Sequence, residues 1–167
     1  MDLDRLFELA TPYLEKNDFG VGHTKRVFEI AKTYFSVTPV LEELTFTSII
    51  LHDIGGSTVK EQYEKGSEIA TLLLQKLNCS ASFMRQICKI VSSHHERPDN
   101  PSEPFQILYD SDKLVMCTQE EYPYYNSQKD FDWNKIVNLI YSPNGKELAK
   151  KWLGQRKKES IGEQNVF

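Results

Sequence analysis

Apolar residues recur at steps of three and four along almost the whole chain, and this helical period is the strongest constraint on its fold. The period-two alternation that half-buried strands need is rare. Residues that break helices fall between the periodic stretches, at Pro39, Gly55-Gly56, Pro98 to Pro104 and Pro143-Asn144-Gly145. The pattern therefore predicts an all-α protein, a single bundle of about seven or eight helices.

The predicted helices cover residues 2–16, 20–37, 40–54, 60–77, 81–95, 104–117, 132–141 and 144–158, with a loop at 120–130. A length of 167 residues suits one domain. We therefore expect one domain over 1–158 and a frayed tail over 159–167. Tyr34 continues the apolar stripe of the second helix and is expected in the core.

Composition and charge disfavour several classes of protein. The net charge of -4 gives no electrostatic basis for binding a nucleic-acid polymer. No apolar run approaches the ~20 residues of a membrane-spanning helix, so no membrane partner is expected. The three cysteines form no CxxC pair and the acidic start is unlike a signal peptide, which favours reduced thiols in the cytoplasm. The composition carries no signal for an oligomeric state.

Polar residues occupy apolar faces on four predicted helices, where each costs free energy unless something satisfies it. They are His23 on the second helix, His52 and Asp53 at the end of the third, His94 with His95 beside it on the fifth, and Asp112 on the sixth. Asp110 falls on the other side of the sixth helix and is expected to be more exposed. Each residue alone suits a hydrogen-bonded core histidine or a capping aspartate. Together they favour a shared metal site.

Imidazole and carboxylate ligands without a thiolate suit one divalent ion of Mn, Fe, Co, Ni, Zn or Mg. Adjacent His52 and Asp53 point ~100° apart on a regular helix, so they can share an ion only near a helix end. The glycine pair that follows supplies that end. His23 and Asp112 would close the site from facing helices. Two imidazoles and two carboxylates leave two octahedral positions for water or substrate, as in catalytic sites.

The ordered blocks GHTKRVFEIA, LHDIGG, SSHHE and ILYDSDKL span residues from about 20 to 117. Their pattern of a His, a His-Asp pair and a distant Asp resembles the HD-domain metal-dependent phosphohydrolase superfamily. The resemblance implies that His23, His52, Asp53 and Asp112 are the metal ligands. It also implies hydrolysis of a phosphate ester or anhydride in a small molecule, with a nucleotide as the expected substrate.

The sequence departs from the family pattern at two positions. Members with two metals carry a further histidine where this chain has Gln62, and a neutral amide is a poor ligand, so a second metal is doubtful. We expect Gln62 beside the site, with His94 and His95 in the outer shell or on the substrate phosphate. Many relatives also have a lysine after HDIG, where this chain has Gly56. Lys60 is the candidate that could replace it by reach.

Further roles follow from position and chemistry. Asp53 is a ligand that could also steer the attacking water, and His94 or His95 could protonate the leaving oxygen. Arg26 lies one turn after His23 and suits bidentate binding of phosphate, or a plain surface arginine. Asp110 suits either a solvated acid or a carboxylate that orients a ligand histidine.

Two other functional classes stay open. A few relatives bind two irons and activate oxygen, which needs the complete ligand set that Gln62 interrupts. The other class is a metal-bound helical module that serves as a sensor or scaffold without catalysis. The open coordination positions argue against such a module, because only catalysis requires them.

Overall fold

A computed structural model of the chain describes residues 1–164, with side chains described through residue 162. The described residues form nine α-helices and one 3-10 turn at Pro39–Leu41. The helices are α1 (Leu3–Leu14), α2 (Gly20–Tyr34), α3 (Glu42–Leu51), α4 (Val59–Lys76), α5 (Ala81–Val91), α6 (Glu103–Val115), α7 (Tyr122–Asn126), α8 (Trp133–Leu139) and α9 (Pro143–Gln164). The predicted all-α fold is confirmed.

The boundaries differ from prediction at a few places. The loop expected at 120–130 contains the short α7, which has Pro123 in its first turn. A frayed tail was predicted over 159–167, but α9 continues to Gln164. Residues 165–167 lie outside the described residues. Tyr34 was expected inward, yet 49% of its surface is exposed. It is the last residue of α2, where the helix leaves the core.

Contacts divide the chain into two units, Met1–Leu108 and Tyr109–Phe167, and the division falls inside the single domain predicted over 1–158. In the first unit α3 is the central helix and packs against α1, α2 and α5. It is buried continuously from Thr45 to Leu51, so this part of the helix is surrounded on all sides. The core around it contains Leu6, Leu14, Ile50, Leu51, Leu74, Ile87 and Val91.

A tight turn joins α3 to α4 and requires glycine. A Cβ built on Gly55 would lie 2.5 Å from the Cα of Gln62 and 2.9 Å from the backbone nitrogen of Gly66, so the turn packs directly on the α4 backbone. Gly56 has a φ of +141°, a conformation that residues with a Cβ rarely adopt. Thr58 then starts α4 with a capping box to Glu61. These features fix the chain directly after His52 and Asp53.

The second unit contains α7, α8, α9 and the end of α6, and α8 packs against α9. Its aromatic cluster includes Tyr122 stacked on Trp133, with ring centroids 5.0 Å apart. The three cysteines are free thiols, and burial raises the pKa of the Cys117 thiol to about 12. No helix within residues 1–164 is long and apolar enough to cross a membrane.

Candidate metal centre

The ring of His52 is fixed by its own helix. His52 caps the C-terminal end of α3 and is completely buried. Its Nδ1 lies 2.7 Å from the carbonyl oxygen of Ile49, one turn earlier. Because a carbonyl can only accept, Nδ1 carries the hydrogen and the Nε2 of the neutral ring has a free electron pair. This bond aims Nε2 away from the helix that bears the ring.

His94 repeats the same arrangement at the end of α5. Its Nδ1 lies 2.7 Å from the carbonyl oxygen of Val91, and only 2% of the residue is exposed. The neutral ring therefore also presents an unprotonated Nε2. That Nε2 lies 3.2 Å from Oδ1 of Asp53. Two histidines on two helices thus direct electron pairs at one place.

Asp53 lies at the centre of this cluster. Its Oδ2 is 3.5 Å from Nε2 of His52 and 3.6 Å from Nε2 of His23. The two histidine nitrogens are themselves 3.4 Å apart. The structure therefore brings the side chains of adjacent His52 and Asp53 together at the end of α3.

The donor atoms of this cluster fit a cation. Unprotonated imidazole nitrogens and carboxylate oxygens that face one another repel unless positive charge lies among them. Ligand atoms about 2.1 Å from a shared ion lie roughly 3 Å or slightly more from one another, which is close to the spacing here. Nδ1–H bonds to backbone carbonyls are also the usual support of metal-binding histidines. His23, His52, Asp53 and His94 could therefore hold a divalent ion.

The charge state of Asp53 agrees with this role. Burial alone raises the pKa of its carboxyl, but positive charge among the rings of His52, His94 and His23, whether on protonated imidazoles or on a bound cation, lowers it by more. The net pKa lies well below the ordinary value for aspartate. The side chain is therefore a carboxylate at neutral pH, as a metal ligand must be.

Gln62 and His95 form a pair beside the cluster. Gln62 is buried, and its Nε2 donates to the carbonyl oxygen of Gly56 at 3.0 Å. Its Oε1 therefore faces His95 and accepts from Nε2 of that ring. His95 also lies within 4.8 Å of Asp53 and His94, measured between ligand atoms. The structure thus brings Gln62 and His95 to the site as expected.

The two candidate substrate residues lie in different surroundings. Arg26 is half-buried on α2, and its Nη1 lies 3.1 Å from where a Cβ on Gly22 would be. Its guanidinium therefore folds back toward the end of α2 that carries His23. Lys60 lies in the first turn of α4 with 82% of its side chain exposed, 3.8 Å from Glu64. Both substrate roles stay predictions.

In the second unit, α6 carries two aspartates whose side chains lie in different surroundings. Asp110 was expected to be the more exposed, but it is completely buried. Its Oδ1 accepts from the backbone nitrogen of Tyr141 at 2.7 Å and its Oδ2 from that of Ser142 at 2.9 Å. These bonds compensate its burial and hold the chain just before α9. Asp112 is half-buried, and Lys113 Nζ lies 2.9 Å from its carboxylate.

One residue at the site could not be predicted from the sequence. Asn17, in the turn after α1, donates from Nδ2 to the backbone carbonyl oxygen of Asp53 at 2.9 Å. An asparagine in a loop between two helices carries no signal of this role, because its partner lies 36 residues further along the chain. Only the folded chain brings the two together.

A family model described as HD domain matches residues 20–117, which is more than half of the chain. The chain belongs to the HD-domain family. Its HD dipeptide is His52-Asp53, the pair at the centre of the cluster. HD domains include metal-dependent phosphohydrolases, and the matched span contains every histidine and aspartate of the predicted ligand set. No curated protein and no solved structure matches this HD domain.

Proposed function

We propose that this HD-domain protein is a metal-dependent phosphohydrolase that acts on a small phosphorylated molecule, with a nucleotide as the expected substrate. The observation that carries the proposal is the convergence of His23, His52 and His94 on the ionised Asp53. These groups could hold a divalent cation, and the HD-domain family to which the chain belongs includes metal-dependent phosphohydrolases.

The proposed ligands of one divalent ion are His23, His52, Asp53 and Asp112. The first three converge within the first unit, whereas Asp112 is assigned from its place in the family pattern. When bound, such an ion lowers the pKa of water and neutralises charge on a phosphoryl oxygen. The nitrogen and oxygen donors of this set suit any of Mn, Fe, Co, Ni, Zn and Mg.

Other residues of the chain would bind and orient the reactants. With its ring protonated, His94 would donate from Nε2 to Asp53, hold that carboxylate in place and be able to supply a proton. Arg26 would clamp phosphate from the His23 side. Lys60 would contribute a second positive charge near the mouth of the site if its side chain extends inward.

A single ion is favoured over two. A second ion beside Asp53 and His94 would need His95 as a ligand, but His95 Nε2 donates to Gln62. Gln62 cannot turn to release it without losing its bond to the Gly56 carbonyl. The pair therefore supports a mononuclear phosphohydrolase rather than a di-iron oxygenase, which requires two complete ligand sets.

The decisive experiment is metal analysis of the purified protein followed by a phosphate-release screen. The screen would use nucleotides and other small phosphate esters with added Mn²⁺, Co²⁺, Ni²⁺ or Mg²⁺. We expect one ion per chain and release of phosphate with at least one metal, with no turnover by the matched H52A variant. A protein that binds an ion firmly but releases no phosphate would be a sensor or scaffold module instead.

The two aspartates of α6 are expected to separate stability from metal binding. D110N places an amide hydrogen against a backbone N–H, and loss of a charged hydrogen bond costs about 1.5–3 kcal/mol of unfolding free energy. D112N removes a proposed ligand and is expected to weaken metal binding by about 100-fold with little change in stability. Urea unfolding and calorimetric titration measure the two effects, and the reverse order would show that Asp112 is not the fourth ligand.

A further inference from the structure

The turn between α1 and α2 reaches the HD dipeptide through one side chain. Asn17 Nδ2 donates to the backbone carbonyl oxygen of Asp53 at 2.9 Å. The same carbonyl also receives the backbone N–H of Gly56, but at 3.5 Å, where a hydrogen bond is weak. The amide of Asn17 is therefore the stronger of these two donors that fix the Asp53 peptide.

The backbone on both sides holds Asn17 in position. Its N–H donates to the carbonyl oxygen of Leu14 at 3.0 Å, and its own carbonyl accepts from the N–H of Gly20 at 3.0 Å. Gly20 has a φ of +58°, which closes the turn in the left-handed region that favours glycine. The side chain therefore projects from a closed turn rather than from a free loop.

The orientation of the Asn17 amide is costly. Because the Asp53 carbonyl can only accept, Nδ2 must face it, and Oδ1 points the other way. This Oδ1 is buried and has no hydrogen-bond partner in the described part of the chain. Buried acceptors without a partner are rare and lower stability, so their presence calls for an explanation. Asn17 therefore anchors the Asp53 peptide at the expense of folding stability.

We propose that Asn17 is a positioning residue of the metal centre, which holds the Asp53 peptide so that the carboxylate faces the three imidazoles. The inference rests on the proposed function, since it assumes that Asp53 is a metal ligand. Loss of this anchor would let the backbone at Asp53 shift, and the shift would move Oδ1 and Oδ2 away from distances of 3.2 Å to His94 and 3.5 Å to His52. Metal affinity depends on the orientation of the ligand atoms, and residues that orient ligands therefore affect it.

The test compares N17L and N17A with wild type by titration calorimetry with Mn²⁺ and by the visible spectrum of bound Co²⁺. Leucine has nearly the shape of asparagine, lacks the donor and removes the unpartnered oxygen. We expect each variant to bind Mn²⁺ about 10- to 100-fold more weakly, the range for residues that orient a ligand. The Co²⁺ spectrum should shift, while the melting temperature of the metal-free protein stays the same or rises for N17L.

T38A is the matched control. Thr38 donates from its backbone nitrogen and its hydroxyl to Glu103 in the same unit, at 2.7 and 2.8 Å. T38A removes the hydroxyl bond and keeps the backbone bond, and it is expected to lower stability without changing Mn²⁺ affinity. Wild-type Mn²⁺ affinity in N17L and N17A, or an equal loss in T38A, would overturn the role of Asn17 while leaving the metal site intact. A wild-type protein that binds no divalent ion would overturn the proposed function and this inference with it.

Discussion

Replacing Asp53 with alanine is expected to abolish metal binding and phosphate release together while the fold survives. The carboxylate lies within 3.6 Å of three imidazoles, so its removal takes away the central negative charge of the proposed ligand set and leaves Asp112 as the remaining acid of that set. Charge stabilisation by a bound ion is worth several kcal/mol, which corresponds to a loss of roughly 1000-fold or more in kcat/KM. H52A should have the same effect, because the buried His52 ring contributes an Nε2 that lies 3.4 Å from His23 Nε2 and 3.5 Å from Asp53 Oδ2.

Metal content, initial rates and circular dichroism measure the three parts of this expectation. D99A is the control, since Asp99 is an exposed aspartate of the same unit. It should keep both metal and activity. Activity that persists in D53A without bound metal would show that hydrolysis does not depend on this cluster. Loss of helical signal in D53A would show instead that the cluster supports the fold.

Replacing Gly55 with alanine is expected to cause the largest loss of stability from a single methyl group. The added Cβ would lie 2.5 Å from the Cα of Gln62 and 2.8 Å from the carbonyl oxygen of Glu61. Both neighbours are backbone atoms of α4 and cannot rotate away, so the turn and the helix must separate. Overpacking of this kind costs about 1–3 kcal/mol or more of unfolding free energy. The same movement displaces Asp53 and should weaken metal binding.

Gly154 provides the matched substitution with the opposite expected sign. It lies inside α9, and a Cβ built on it would meet nothing within 4 Å. G154A is therefore expected to raise stability by about 0.5–1 kcal/mol, because alanine is the better helix former. Urea unfolding of both variants separates the effect of packing from the general effect of replacing glycine. Equal stability of G55A and wild type would show that the turn does not press on α4.

Much of the fold could be predicted because it depends on local signals. The helical period of the apolar residues and the position of the breakers place the long helices within a few residues of their observed bounds, except at the C-terminal end of α9. The polar residues that interrupt those stripes include His23, His52 and His94, and all three lie together in the first unit. Core positions that carry imidazole are a strong signal because apolar residues are otherwise preferred there.

The features that could not be predicted depend on contacts between distant residues. Asp110 is buried because its carboxylate accepts from nitrogens 31 and 32 positions away, a fact that helix periodicity cannot contain. The bond from Asn17 to Asp53 likewise joins residues 36 positions apart. Helix α9 passes 158 because no proline or closing turn interrupts its sequence there, and Gly154 and Gly162 within it only weaken a helix.

The Nδ1 atoms of His52 and His94 both bind backbone carbonyls, at the ends of α3 and α5. Helices leave their final carbonyls without internal partners, and here two of them orient imidazoles. The same ends carry partial negative charge, which favours a cation nearby. The rings are thus preorganised by the backbone, so an incoming ion has little entropy of side-chain ordering to overcome. Exchange of one metal for another would leave the architecture of the helices unchanged.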